Sequence, residues 1–247
     1  GLAHGFELAV RASTERRQAR RLRDLAGRER IDFVHHVTPV SPRAVTFIAD
    51  VGPPVFHGPL TGNMSFPPAF QHRSPISAGA ERRMRGALEA AHHLFTARRR
   101  SAGIFVCNER TRAALPRAWR GAPRPSTVTD HGILPEVWQR NPVTPPRDRA
   151  RFVFVGRLVQ VKAVDLLIEA FARVEAPAEL LVVGNGPLRG ALERQAAATG
   201  ADIRFVGARD HAGIAEILAA STALVMPSLR ESGGAVCAEA MATGVPV

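Results

Sequence analysis

The pattern of apolar and polar positions changes character past the middle of the chain. From residue 151 onward, short apolar runs at 151–155, 180–183, 203–206 and 223–226 alternate with helical periods. Val164, Leu167, Ile168 and Phe171 recur at i, i+3, i+4 and i+7; Leu188 and Leu192 begin the next helix, and Ile214, Ile217 and Leu218 mark a third. Such alternation predicts right-handed βαβ units around a parallel sheet. Ligands of such sheets bind beyond the carboxyl ends of the strands. Arg157, Asn185 and Glu231 each fall just after a predicted strand end.

The first half is less regular. Residues 31–34, 45–48, 55–56 and 104–106 read as strands. Residues 80–100 read as a long helix, with Met84, Leu88, Ala91 and Phe95 on one face and Arg82, Arg83, Arg85, Arg98, Arg99 and Arg100 on the other face and end. The commoner meaning of that pattern is a surface helix whose apolar stripe enters the core; the other is a basic amphipathic helix lying on an anionic membrane. Pro142, Pro145 and Pro146 punctuate the chain before the regular half begins. They predict a linker, a first domain over 1–146, a second over 147–247, and a cleft between them. The fold class is α/β with parallel sheets.

Length and composition fit this picture. The 247 residues suffice for two modest α/β domains. No apolar run approaches the ~20 residues needed to span a bilayer. Cys107 and Cys237 read as buried thiols of a reducing, cytoplasmic compartment rather than as a disulfide. The net charge of +11 lies wholly in the first half: residues 1–146 hold 22 Arg against 11 Asp and Glu, whereas 147–247 hold 11 Lys and Arg against 11 Asp and Glu. An arginine-rich solvated surface, the inner face of a membrane or an acidic acceptor each accounts for that excess. Nucleic acid is disfavoured, because no helix-turn-helix, zinc-finger or RNP-like pattern accompanies the charge.

Two clusters carry chemistry. Glu231 and Glu239 bracket Gly233 and Gly234, which lead into a helix predicted to start near Ala235. A helix N-terminus offers free N–H groups and a positive dipole end, and glycine lets an anion approach. A phosphate held between two hydroxyl-binding carboxylates is the outline of a nucleotide-sugar. Upstream, Gly156 and Arg157 follow the first strand of the regular half, and Lys162, the one lysine in the chain, stands five residues after Arg157. Arginine offers a planar fork to phosphate oxygens and lysine a point charge. No His/Cys/Asp spacing fits a zinc site and no Asp-x-Asp pair occurs, so neither metal nor cofactor is expected. GlyAsnGlyPro at 184–187 does not fit the dinucleotide fingerprint, because Gly190 falls one residue too late.

PheValPheValGlyArgLeuValGlnValLysAlaValAspLeuLeuIleGluAlaPhe, LeuLeuValValGlyAsnGlyPro, IleArgPheValGly and ProSerLeuArgGluSerGlyGly…GluAlaMetAlaThrGlyValProVal occur in that order between Arg151 and Val247. The set resembles the donor half of the family 4 retaining glycosyltransferases, the glycosyl transferases group 1. The resemblance implies two Rossmann-like domains facing a cleft, the GT-B arrangement, with an acceptor-side domain in 1–146 and a donor-binding domain in 147–247. It implies that Gly156, Arg157, Lys162, Asn185, Glu231, Ser232, Gly233, Gly234 and Glu239 bind the donor, with Glu239 on the ribose hydroxyls and Glu231 facing the sugar. His57 is the match for the family's acceptor-side histidine, with His35 and His36 as rivals, so Glu231, His57, Arg157 and Lys162 form the expected catalytic set. SerGlyGly stands where the family has a loop of the Gly-Phe-Gly type.

The implied reaction moves a sugar from a nucleoside-diphosphate donor to a sugar or lipid-linked acceptor hydroxyl with retention, in glycan, polysaccharide or glycolipid synthesis. A nucleotide-sugar epimerase or synthase, or a noncatalytic nucleotide-sugar or membrane-binding piece, are the alternatives. The family's opening Gly-rich loop and closing helices have no match here, so the chain reads as the middle of such an enzyme.

Overall fold

The computed structural model describes residues 2–37, 41–42, 44, 46–48, 50–62, 64–74, 79–80, 83, 86–87, 90, 101–116, 125–129, 132–138, 144–146, 148–231 and 233–247. They form two compact units, Gly1–Ser65 with Ser74–Asp130, and Phe66–Arg73 with His131–Val247. Both are α/β and each holds a four-stranded parallel sheet. The expected class, α/β with parallel sheets, is what the described residues form.

In the first unit the sheet order is β1 (Val34–His36), β2 (Val55–Leu60), β3 (Gly103–Val106), β4 (Ser126–Thr127). Helix α1 (Leu2–Ala26) packs through Ala19 against Ile48, Val51 and Val55. Buried Glu15 accepts from Thr46 Oγ1 at 2.7 Å and from the Phe47 N–H at 2.6 Å. That contact corrects one expectation. Residues 46–48, predicted as strand, are irregular, because their polar groups bind α1 while Ile48 fills the core beneath it. The predicted strand at 31–34 begins only at Val34, and the one at 55–56 runs on to Leu60. Helix α2 (Glu109–Ala113) is capped by Asn108, whose side chain accepts from the Thr111 N–H at 2.8 Å. Of the helix expected over 80–100, described residues 80, 83, 86, 87 and 90 are helical and Arg83 is exposed. Met84, Leu88, Ala91, Phe95, Arg82, Arg85, Arg98, Arg99 and Arg100 lie outside the described residues. Among the described residues no helix is long and apolar enough to cross a membrane.

In the second unit the order is β7 (Ile203–Gly207), β6 (Ala178–Val183), β5 (Ala150–Val155), β8 (Ala223–Leu224). All four stand where the apolar runs predicted them. Successive β5 residues point to opposite faces, as a strand buried on both sides requires. Phe154 joins Leu158, Leu167, Ile168, Phe171, Leu180 and Leu192 on the face covered by α4 (Val164–Phe171) and α5 (Arg189–Thr199). Val153 and Val155 join Leu218, Leu224 and Ala240 on the face covered by α6 (His211–Ala219) and α7 (Ala235–Thr243). Full burial of each such side chain stabilises by about 1.5–3 kcal/mol relative to exposure.

This unit starts ahead of the prolines at 142–146. Trp138, in the short α3 (Pro135–Trp138), is buried in the same core, and the Thr144 N–H donates to the Ala219 carbonyl at 2.8 Å. An aromatic anchor upstream of the prolines thus draws the border back from 146/147. At the amino end of the sheet, buried Glu179 on β6 is held by Arg151 at 2.7 Å and Arg149 at 3.3 Å, and Arg149 and Arg204 also grip Asp202 at 3.0 and 2.9 Å.

Candidate functional site

The site assembles beyond the carboxyl ends of β5 and β6. The Gly156 N–H donates to the Val183 carbonyl at 3.0 Å, and the Leu158 N–H to the Asn185 carbonyl at 3.0 Å. Gly184 has φ +136°, and a Cβ there would overlap the Gly156 carbonyl oxygen; a Cβ on Gly186 would collide with the Leu158 backbone. GlyAsnGlyPro is therefore a frame, two glycines that let the loops after β5 and β6 interlock. Asn185 Oδ1 accepts from the Gly186 N–H at 2.8 Å, which ties the exposed amide to this loop. Arg157, next to Gly156, is exposed and makes no side-chain hydrogen bond or ion pair among the described residues.

Lys162 ends a 3₁₀ turn (Gln160–Lys162) and is followed by Ala163, a fully buried non-glycine residue at φ 50°, ψ 37°. A left-handed alanine costs roughly 1–2 kcal/mol, so the surroundings hold this junction in place. The loop after β8 is pinned to the same turn, since the Leu229 N–H donates to the Val161 carbonyl at 2.9 Å. That pin brings Glu231 to Lys162, and their side chains form an ion pair, 30% and 20% exposed respectively. Gly234, at φ 63°, N-caps α7, and a Cβ there would stand 3.4 Å from Glu231 Cγ and 3.2 Å from Cys237 Sγ. Among the described residues helix α7 has no side-chain cap bond and no acid in its first turn, so its positive end is uncompensated from within. The Cys237 thiol titrates above its usual value, first through burial, then through the nearby Glu231 charge, with Lys162 opposing.

Of the expected donor residues, the structure thus brings together Lys162, Glu231 and Gly234, and frames Gly156 and Asn185 beside each other. Gly233 is exposed at the approach to α7, and Glu239 is half-buried on its fifth residue, its carbonyl accepting from Thr243 Oγ1 at 2.9 Å. Ser232 lies outside the described residues. His57 belongs to the first unit, on β2; it is 1% exposed, with its Nδ1 3.2 Å from His36 Nδ1. His35 Nε2 stands 2.8 Å from the Gly58 carbonyl. Sequence reasoning passed over Cys237 as a neighbour of the pair, although its place three residues after Gly234 was a usable signal. It also passed over Asp165, three residues after Lys162, and over Arg73, for which no local pattern exists.

The sequence profile of the glycosyl transferases group 1 matches residues 149–247. The match takes in nearly the whole predicted donor half and leaves the first 148 residues outside it. The 2-deoxystreptamine glucosyltransferase of Streptomyces kanamyceticus is 32% identical over 60% of this chain and 42% of its own length. A D-inositol 3-phosphate glycosyltransferase of Nocardioides sp. is 35% identical over 41% of this chain and 27% of its own. The chain thus spans less than half the length of these curated relatives. Among solved structures, sucrose-phosphate synthase from Thermosynechococcus elongatus superposes with a TM-score of 0.64 at 20% identity, covering 95% of this chain and 60% of that one. Anabaena HepE in complex with UDP gives 0.62 at 19% identity, covering 80% and 53%. At these identities the two structures speak for a shared α/β fold and not for a role or a substrate.

Proposed function

We propose that this chain carries the donor site of a retaining glycosyltransferase, which moves a sugar from a nucleoside-diphosphate sugar to an acceptor hydroxyl in glycan, polysaccharide or glycolipid synthesis. The observation that carries the reading is the Lys162–Glu231 pair, set between exposed Arg157 and the uncapped start of α7 at the carboxyl end of a parallel sheet. Two cations and the amino end of a helix lie on the carboxyl side of one sheet, with Glu231 paired to one of the cations. The curated relatives, named as transferases of glucosyl and glycosyl groups, support the same class.

In this reading the diphosphate lies against Arg157, Lys162 and the α7 amides, Glu239 holds the ribose hydroxyls, and Glu231 faces the sugar. The acceptor oxygen bonds to the anomeric carbon as the carbon–oxygen bond to phosphate breaks. The bonding pair leaves with the diphosphate, and the acceptor proton passes to the departing phosphate oxygen on the same face. Preorganised cations aimed at that developing charge lower the barrier, so the reaction proceeds without a metal. His57 and the first unit serve the acceptor side. A peripheral contact with an anionic membrane is part of the proposal, supported by the +11 of residues 1–146 and by exposed Arg17, Arg20 and Arg21 on α1.

Calorimetry with UDP, GDP and ADP, beside sugar transfer from the matching donors, tests this. Lys162→Ala is expected to weaken binding of the preferred nucleotide and to cut transfer roughly 10²–10³-fold, the scale of losing one oxyanion partner. Unchanged affinity in that variant sinks the reading.

A further inference from the structure

We infer that the segment Phe66–Arg73 is a positioning clamp for Lys162 and Glu231, an inference that rests on the donor-site reading above. The segment is an excursion: residues up to Ser65 and from Ser74 belong to the first unit, whereas these eight belong to the second. It is braced within itself. The Phe70 N–H donates to the Pro67 carbonyl at 2.8 Å, and Gln71 Nε2 to the Phe66 carbonyl at 2.7 Å.

The segment grips the site at two points. Arg73 Nη1 donates to Asp165 Oδ2 at 2.6 Å, its guanidinium lying 5.9 Å over the Phe70 ring, and the two side chains are only 19% and 31% exposed. Asp165 is the second residue of α4, and Gln195 Nε2 donates to its carbonyl at 3.0 Å, so the start of α4 is held from two sides. At the other point, Phe66 is buried and the Arg230 guanidinium lies 5.4 Å over its ring. Asp165 stands three residues after Lys162, and Arg230 immediately precedes Glu231. One eight-residue segment therefore fixes the backbone next to both members of the ion pair.

The left-handed Ala163 makes this grip consequential. It sits between Lys162 and the clamped helix start, in a conformation that persists only while its surroundings over-determine it. A charge-assisted hydrogen bond with little exposure is a strong restraint. When Asp165 is released, Ala163 relaxes and carries Lys162 with it, and a displacement of about 1 Å in a positioned group costs up to roughly 10²-fold. Arg73 and Phe66 act through Asp165 and Arg230, without touching the donor.

The test uses the 247-residue chain as Arg73→Ala, Arg73→Lys and the exchanged pair Arg73→Asp with Asp165→Arg, beside Lys162→Ala. Two readouts are taken: calorimetric affinity for UDP, GDP and ADP, and the pH profile of Cys237 alkylation by iodoacetamide, followed by mass spectrometry. Arg73→Ala is expected to lower affinity for the preferred nucleotide roughly 10-fold, with Arg73→Lys and the exchanged pair restoring most of it. The alkylation midpoint is expected to rise, because Lys162, whose charge opposes the upward push of burial and Glu231 on the thiol, is drawn away. Unchanged affinity and an unchanged Cys237 profile in folded Arg73→Ala overturn the clamp. So does an affinity loss that neither rescue restores, or one with the Cys237 profile unmoved, since Arg73 then acts elsewhere than through the pair. If Lys162→Ala binds nucleotide like the parent, or no nucleotide binds the parent, the donor-site reading fails by itself, and the Cys237 profile decides whether Arg73 holds the pair.

Discussion

The two ends of the second sheet both gather arginines and glutamates, and they use them in opposite ways. At the amino end the charges are matched. Glu179, fully buried, is flanked by Arg149, Arg151 and Arg204, and Asp202 takes up Arg149 and Arg204 again. At the carboxyl end Arg157 stands exposed without a side-chain partner among the described residues, and Lys162 and Glu231 have only partial cover. A dense charge network around a buried carboxylate holds strands together; an under-used one is available to a ligand. Composition does not separate the two ends, whereas the balance of partners does.

The largest expected effect breaks the amino end. Glu179→Ala leaves three arginines around an empty place. Removing one partner of a buried pair costs about 3–5 kcal/mol, and the low end applies because the arginines keep 26–56% of their side-chain surface in water. Urea unfolding is expected to show a loss of about 3 kcal/mol, with nucleotide affinity of the folded protein unchanged. A stable Glu179→Ala protein with impaired binding would erase the distinction between the ends.

Arg157→Ala is the mirror experiment. Stability is expected to stay within about 0.5 kcal/mol, as for exposed positions without special contacts, while transfer falls roughly 10²–10³-fold. Chemical denaturation and steady-state kinetics on one preparation check both halves. A destabilised Arg157→Ala would mean that the residue has a structural partner after all.

The smallest effect sharpens the comparison through pH. The Arg204 hydrogen bond, aided by the Arg204 and Arg149 charges, holds the Asp202 carboxyl below its usual value against the opposing effect of burial. A depressed carboxyl contributes stability that is complete above the unfolded-state value of about 3.9 and is lost as pH falls through the folded-state value. Stability measured below pH 4 is therefore expected to decline less steeply in Asp202→Asn than in the parent. Equal acid limbs would remove Asp202 from the network's energetics.

The fold of the second unit was legible because its strands are buried on both faces and read as unbroken apolar runs, 152–155 and 180–183 above all. The first unit was less so. Its β1 is Val34–His36 and its β4 only Ser126–Thr127, too short and too polar to stand out, and Ile48 spends its apolar surface under α1 instead of in the sheet. In the candidate site, a lone lysine and a glycine pair singled out Lys162 and Glu231, whereas their pairing with each other had no signal in the chain. Arg73 was not, because its partner Asp165 is 92 residues away and neither lies in a recognisable local pattern. The border between units was missed for a similar reason: proline marks a break in local conformation, but Trp138 decides by long-range packing where the chain belongs.

The interlock of Gly184 and Gly186 with the backbone of 156–158 has a consequence for how this site can diversify. The floor on which Arg157 and Asn185 stand is built from main-chain atoms touching main-chain atoms, and the two glycines contribute by having nothing to add. Side chains around that floor can be exchanged without moving it. On the donor-site reading, ligand preference and architecture are thereby uncoupled: the side chain at 185 can change without moving the floor, whereas a Cβ added at either glycine pushes into the backbone that forms it.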